Sequence, residues 1–451
     1  MQAMRFSPHW RSGTLLCPLI LLTFVGVQAA LPALPTYSQT QTPAIRVAFV
    51  DRGNIWLLGP DGSKRRLTAD GHDSAPLWIS GGRALLFQRQ AGGRIDIMRW
   101  QPGTAGTPAS IRRLRSGLWS PDGTAVAFVR AVPHTQSAAT VWVAQNGRAV
   151  RITSVQRGFR WLPAAWSPDG SRLALSRFST PLATSSASVW VTVGPVQAAH
   201  LRRLFMPDMS PGHPGWPDIV FWSPDGRFLT VVVGPNMGCE SCRADGRPYD
   251  AVPLAGGSPI PLGTALGPDE AVSWAPDGSY LVLSSGPSGR QTYVEKRLVR
   301  VTPLTGTRRA LVSAGHWSDV EPAVSPNGTQ IAFARGRSET SDTRLTPPDL
   351  IASRRIYTMD ADGTHLHQLT KAAGWTDEAP VWSPDGRWML FVRWRRHQSG
   401  RPAEAALWAV QPDSIGARRL TGLDLPAHFL NGFGYYGAFG WKSLFAVAPG
   451  S

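Results

Sequence analysis

The stretch APVWSPDGRWMLFVR, residues 379–393, decides the fold. Its Ser-Pro-Asp-Gly core has the chemistry of a tight turn: Pro holds φ near about −65° at the second position, Asp suits the third, and Gly tolerates positive φ at the fourth. The chain must reverse there, and the apolar run after it reads as a short strand buried in a sheet. Close copies are LWSPDGTAVAFVR from Leu118, AWSPDGSRLALSRF from Ala165, FWSPDGRFLTVVV from Phe221, SWAPDGSYLVLSS from Ser273 and AVSPNGTQIAFAR from Ala323. A chain that repeats one strand-turn-strand unit this often is a repeat protein.

A second module follows each copy. RIYTMDADGTHLHQLT, residues 355–370, is strand, Asp-Gly turn, strand. The same hairpin recurs as NIWLLGPDGSKRRLT from Asn54, TVWVAQNGRAVRIT from Thr140 and ALWAVQPDSIGARRLT from Ala406, with weaker forms after Ile95, Val189, Asp250 and Leu298. Copy and hairpin together make four short strands. The anchors ahead of the turns, Trp78, Trp119, Trp166, Trp222, Trp274, Val324, Trp382 and Trp441, fall 41 to 59 residues apart. Four strands per period of that length predict an all-β chain, a β-propeller of four-stranded blades. Eight blades are expected, with seven as the alternative if the region around Trp441 packs irregularly. The anchor tryptophans are read as apolar wedges between neighbouring sheets. The repeat region opens with IRVAFV, NIWLLG and KRRLT, three strands lacking an anchor, and the last anchor stands at the far end. N- and C-terminal strands sharing a blade would close the ring and remove two free edges.

With 19 Trp, 46 Gly, 39 Pro and only 17% charged residues, the composition suits short strands and turns. No amphipathic helix is expected after residue 45. Residues 1–29 read as a signal peptide, with Arg5 and Arg11 ahead of the apolar run TLLCPLILLTFVGVQAA. An uncleaved anchor is the rival, but Pro18 interrupts a run already short beside the roughly 20 residues a spanning helix needs. Cys17 lacks the small residue before it that a lipid attachment site wants. Residues 30–44 have linker composition, and residues 45–447 form the propeller. The expected location is the periplasm or the outer cell surface, with membrane contact through the leader alone.

The formal charge is +16, and residues 1–29 contribute only two of the cations. Arg-Arg pairs recur at one phase of the repeat, as Arg65-Arg66, Arg112-Arg113, Arg202-Arg203, Arg308-Arg309 and Arg418-Arg419. Shielding of outer strand edges is the first reading and an anionic envelope polymer the second. Nucleic acid is excluded as a partner, since an exported protein rarely meets it. VRWRRHQSGR, residues 392–401, is the densest basic run and reads as a loop between strands.

The pairing of W-S-P-D-G with IYTMDADGTHLHQLT resembles the repeat of TolB-type propellers, periplasmic proteins of the bacterial envelope, over nearly all of residues 45–445. The resemblance implies a propeller and an exported protein. It is specific for architecture and weak for function, because similar repeats build the propellers of prolyl-oligopeptidase-like peptidases and some polysaccharide lyases. The family's namesake carries an N-terminal α/β domain that takes part in partner binding. Here the repeats begin by residue 45, so that domain is not expected and no partner-binding residue is carried over.

Signals for chemistry are sparse. No Gly-x-Ser-x-Gly nucleophile turn is present, and SSGPSGR from Ser284 lacks its spacing. His365 and His367 lie two apart on an expected outer strand, which puts both on one face but supplies no complete ligand set. Cys239 and Cys242 are expected to form a local disulfide in an inserted loop, the usual fate of such a pair in an exported protein. Asn327 matches a glycosylation acceptor but reads as a variant of the repeat turn. No catalytic residue, metal or cofactor is expected. The function read from the sequence is a non-enzymatic, monomeric binding or scaffold protein of the cell envelope. It would contact an envelope protein or anionic polymer through one face, at the longer connections Met206 to Asp218, Asn236 to Tyr249, Arg337 to Arg354 and Arg395 to Glu404. The alternative is a carbohydrate-active lyase or hydrolase on the same scaffold.

Overall fold

The computed structural model describes residues 45–449 apart from 93, 103–108, 111–116, 136–137, 180–186, 195, 197–199, 208–215, 235–246, 266–270, 287–290, 312–314, 340–344, 397–401, 415 and 424–438. The expected signal peptide (1–29) and linker (30–44), with Cys17, and Cys239 and Cys242 lie outside the described residues.

Strands fall in antiparallel groups of four. The first unit holds β1 (Val47–Asp51), β2 (Asn54–Leu58) and β3 (Lys64–Arg66), joined by β32 (Phe445–Val447). The second holds β4 (Asp73–Ile79), β5 (Ala84–Ala91), β6 (Arg94–Trp100) and β7 (Ala109–Ser110). The third has β8 (Gly117–Trp119), β9 (Ala125–Ala131), β10 (Ala139–Gln145) and β11 (Arg148–Arg151), and the fourth has β12 (Phe159–Trp166), β13 (Leu173–Ser179), β14 (Ala187–Val193) and β15 (His200–Phe205). A single parallel bridge, Ala139 to Arg160, joins these two into one hydrogen-bonded path. The fifth unit is β16 (Trp216–Trp222), β17 (Phe228–Gly234), β18 (Arg247–Pro253) and β19 (Ile260–Ala265). The sixth is β20 (Val272–Trp274), β21 (Leu281–Ser285), β22 (Arg297–Thr302) and β23 (Thr307–Ala310). β24 (Trp317–Val324), β25 (Gln330–Arg337), β26 (Arg355–Asp360) and β27 (His367–Gln368) make the seventh, and β28 (Thr376–Trp382), β29 (Met389–Arg396), β30 (Pro402–Val410) and β31 (Arg418–Leu423) the eighth.

First strands of successive units pack on one another, as β8 on β12, β12 on β16, β20 on β24, β24 on β28 and β32 on β4. Fourth strands such as β3 and β23 are exposed along their whole length. This nearly all-β arrangement of four-stranded antiparallel sheets is consistent with a β-propeller. Apolar side chains fill the spaces between sheets: Phe221, Trp274 and Trp382 share one cluster, while Phe49, Trp78, Leu390 and Trp441 share another that joins the last unit to the first.

The repeat turn works as its residues dictate. In the third unit the Gly123 N–H donates to the Ser120 carbonyl at 2.8 Å, the Ser120 hydroxyl donates to Asp122 at 2.6 Å, and Asp122 accepts the Thr124 N–H at 3.1 Å. Gly123 sits at φ 68°, in the left-handed region. Asn327 replaces Asp with the same bonds, accepting from Ser325 and from the Thr329 N–H. In three of the four clear hairpins the closing threonine is bonded back to the hairpin's first strand. Through Oγ1, Thr68, Thr153 and Thr370 accept the N–H of Ile55, Val141 and Ile356, each at 2.9 Å.

Anchor indoles do more than wedge. Nε1 of Trp166, Trp222 and Trp382 donates to the carbonyl of Leu118, Ala165 and Ala323, one residue before the anchor of the preceding unit. Trp78 makes the equivalent bond to Ala446 at 3.2 Å, so β32 stands where a first strand is required. Among the described residues the buried Nε1 atoms of Trp119 and Trp274 have no partner.

Three expectations need correction. Trp441 is not the anchor of β32: it lies in a 3-10 turn, Trp441–Ser443, and Val447 holds the anchor register because Ala446 receives the Trp78 indole. The connection after β25 contains a helix, α1 (Pro347–Ala352), started by Pro-Pro and by an Asp349 carboxylate that accepts from the Thr346 N–H and hydroxyl. His365 is off the strand, in a turn at φ 52° with its Nδ1 2.7 Å from Asp360, so it does not share a strand face with His367.

Candidate functional site: the end of the sheets opposite the repeat turns

Apart from the first unit, whose first strand is β32, each unit runs up its first strand, reverses at the repeat turn or its variant, returns, and reverses again between its third and fourth strands, which puts both turns at one end. Connections between the second and third strands, and from one unit to the next, gather at the other end. The strands bounding the longest chain separations, β15 to β16, β17 to β18, β21 to β22, β25 to β26 and β31 to β32, end and begin there, whereas at the turn end successive strands are separated by eight residues at most. The described strand ends that bound the four stretches singled out from the sequence are thus at one end.

Beneath these connections is a layer of buried charge. Asp73, Asp319 and Asp377 each stand near the start of a first strand, and each holds an arginine 16 residues on in a two-pronged pair: Arg89 (2.7 and 2.9 Å), Arg335 (2.6 and 2.8 Å) and Arg393 (2.6 and 2.9 Å). The antiparallel register places them side by side, and a planar guanidinium matches a carboxylate with two bonds. Arg393 also lies over the Trp408 ring at 4.7 Å. In the fourth unit Trp161 takes the aspartate position, and its partner Arg177 instead sits over Phe159, Trp161 and Trp190.

Next to the pairs the first strands break step. Ala75, Glu321 and Ala379 adopt φ of 49°, 56° and 52°, each followed by proline, and the ladder shifts register at each. Proline supplies no N–H to the ladder, which suits it to a bulge, and the positive φ of the residue before it is a strained conformation held at that bulge. For Glu321 the consequence is a buried carboxyl, whose Oε2 accepts the Ala379 N–H at 2.6 Å. Burial first, and the neighbouring Glu378 charge second, push its pKa up to about 7, against the pull of Arg354 and the Ala379 N–H.

Glu378 is saturated with donors: Arg354 on Oε1, and the indoles of Trp394 (2.7 Å) and Trp441 (2.8 Å) on Oε2. Arg354, which follows α1, also donates to the Thr292 hydroxyl. Lys296, buried close by in sequence, is lowered to about 8 by that burial, with Glu295 opposing. One cluster thus ties the sixth, seventh and eighth units to the segment leading into β32. Sequence reading missed it. The available signal was the shared Asp five residues before Trp78, Val324 and Trp382 and the Arg 16 residues later.

The basic run 392–401 is corrected by the same geometry. Val392 to Arg396 continue β29, and the three described arginines are met: Arg393 by Asp377, Arg395 by Glu404 at 2.8 Å, Arg396 by Asp349 on α1. Above the buried layer, Trp317 is 42% exposed and Leu345 is exposed beside α1. Among the described residues no group of three or more His, Cys, Asp or Glu could hold a metal ion, and no helix is long and apolar enough to cross a membrane.

No family model matches the chain. It is 26% identical over 209 residues to an uncharacterized protein of Agrobacterium fabrum, a match covering 44% of this chain and 56% of the relative. Among solved structures it is similar to Porphyromonas gingivalis dipeptidyl peptidase 4, at 12% identity over 88% of this chain and 62% of that one, with a TM-score of 0.52. It also aligns with a prolyl endopeptidase (13% identity, 79% of this chain and 50% of that one, TM-score 0.48) and with a TolB structure from Agrobacterium tumefaciens (14%, 72% and 88%, 0.33). At these identities the first likeness bears on fold alone.

Proposed function

We propose that the chain is an exported, non-enzymatic binding or scaffold protein of the cell envelope. In this reading it is an eight-bladed propeller closed by β32, resembles TolB-type propellers, and holds an envelope protein against the end bearing its long connections. The observation that carries the binding role is the asymmetry of the two ends: the longest chain separations between strands, α1 and exposed Trp317 fall at one, and the short repeat turns at the other. Closure is supported by the β1 to β32 ladder, by the Trp78 bond to Ala446, and by the apolar cluster shared between the eighth and first units. A Cys239–Cys242 disulfide would pin the connection after β17.

The enzyme alternative has one observation in its favour, two neighbouring buried carboxyl groups of which one, Glu321, is raised. Both are enclosed, and Glu378 is covered by two indoles, so no substrate atom reaches them without opening the cluster. The test is photo-crosslinking in envelope extract from a reactive residue at Leu345, on the connection end, or at Leu304, on the turn end. A discrete protein adduct from Leu345 alone supports the proposal. Turnover of acidic oligosaccharides with no adduct from either site moves the function to the enzyme reading.

A further inference from the structure

We propose that the outer strands of the eighth, first, third and fourth units form a cationic arc that binds a flexible acidic polysaccharide through its carboxylates. The arc is a different surface from the connection end and does not depend on the protein partner proposed there. It consists of Arg418 and Arg419 on β31, Arg65 and Arg66 on β3, Arg148 and Arg151 on β11, and Arg202 and Arg203 on β15, all exposed. Arg112 and Arg113, after β7, lie outside the described residues. Successive residues of a strand point to opposite faces, so exposure of both members of a pair means that the outer strand stands beyond the cover of its neighbours.

These arginines contrast with the basic run on β29, where Asp377, Glu404 and Asp349 neutralise the guanidinium groups. Arg66, Arg203 and Arg419 have no carboxylate partner among the described residues. Their neighbours are held in place: Arg65 stacks over Trp100 of the second unit at 5.2 Å, and Arg202 donates to the Leu254 carbonyl of the fifth. Three outer strands carry no Lys or Arg: β7 (Ala109–Ser110), within the arc between β3 and β11, and β19 (IPLGTA) and β27, which leave Arg308 and Arg309 on β23 isolated between them.

The geometry selects the partner class. A flat membrane meets outer strands that face successive directions only one or two at a time. Duplex DNA, with a persistence length of about 50 nm, is too stiff to follow them. Single-stranded nucleic acid is held by base stacking on aromatic rings, and β3, β11, β15 and β31 expose none, Phe205 being buried. A flexible chain of carboxylates suits guanidinium forks and the net charge of +16.

The experiment titrates the full chain with polygalacturonate over a range of salt. The variant R66Q/R203Q/R419Q is compared with R297Q/R308Q/R309Q, which removes the same charge from the isolated sixth unit. All six side chains are exposed, so thermal midpoints should stay near that of the parent. The arc variant should bind about tenfold more weakly or worse, with a shallower salt dependence, and the control variant should change by less than about twofold. Equal losses in both variants, or no loss in the arc variant, would overturn the arc. A thymidine oligonucleotide of matched charge binding as tightly as polygalacturonate would overturn the partner class.

Discussion

At the turn end of the sheets, the same Ser, Asp and Gly make the same bonds from unit to unit; at the connection end, the units that carry Asp-Arg pairs and the Glu378 cluster differ from the unit that substitutes Trp161. Each repeat turn is closed by its own local bonds, two to five residues apart, with single bonds such as Tyr280 to Gly328 added between neighbouring units. The connection end is built of contacts 16 to 63 residues apart that desolvate charge, the Asp-Arg pairs within a unit and the Glu378 bonds to Arg354 and Trp441 beyond it. Local repetition makes a scaffold. Non-local, unit-specific contacts fix where the long connections leave it.

This contrast predicts unequal costs for comparable substitutions. The largest belongs to Glu378→Leu, which strands the buried Arg354 guanidinium and two indole N–H groups. Urea denaturation should show a loss of about 3–5 kcal/mol, against about 1 kcal/mol for Asp385→Ala in the eighth-unit turn. Equal losses would erase the distinction between the ends.

Glycines at the turn end give the next effect. Gly363 has φ 87°, and an added Cβ would sit 2.4 Å from the Leu311 carbonyl oxygen, whereas Gly62, at φ 80°, faces open space. Gly363→Ala should therefore cost about 2–3 kcal/mol and Gly62→Ala about 1 kcal/mol, read as shifts in thermal midpoint. A Gly363→Ala protein as stable as Gly62→Ala would mean that the seventh-unit hairpin does not press against the sixth unit.

Glu321 sharpens the comparison through pH. Its folded pKa of about 7 lies above the ordinary 4.5, so between those values the folded chain holds a proton that the unfolded chain has released. Stability from this group is therefore full below about 4.5 and declines as pH rises toward 7, with a slope of at most about 1.4 kcal/mol per pH unit. Glu321→Gln should flatten that decline. An unchanged profile would place the carboxyl in a wetter setting than the structure shows.

The smallest effect separates two indoles. Trp382→Phe should cost about 1 kcal/mol more than Trp119→Phe, because only Trp382 donates its N–H to the preceding unit. Equal costs would reduce the anchors to apolar wedges.

The same division explains what was legible in the sequence. The turns, the strands IRVAFV, NIWLLG and KRRLT, and Asn327 as a turn residue could be read directly, because their chemistry is contained within a few residues. The Asp319–Arg335 and Asp377–Arg393 pairs could not, since they appear only once strand register is known. Trp441 misled for the opposite reason: an indole in roughly the right place was assigned the anchor's role, while its N–H is engaged by Glu378 and Val447 holds the register. α1 had a readable start in Thr346, Pro347 and Asp349, but at six residues it lacks the periodicity by which helices are recognised.

The contrast between the ends requires that the chain close on itself, with β32 beside β1. Ala48 and Ala446 face each other across that ladder. Cysteines placed at both positions should oxidise to a bridge within one chain, identified by peptide mapping, and raise the thermal midpoint. Free thiols at both positions in the folded protein, or bridges only between chains, would contradict the closure.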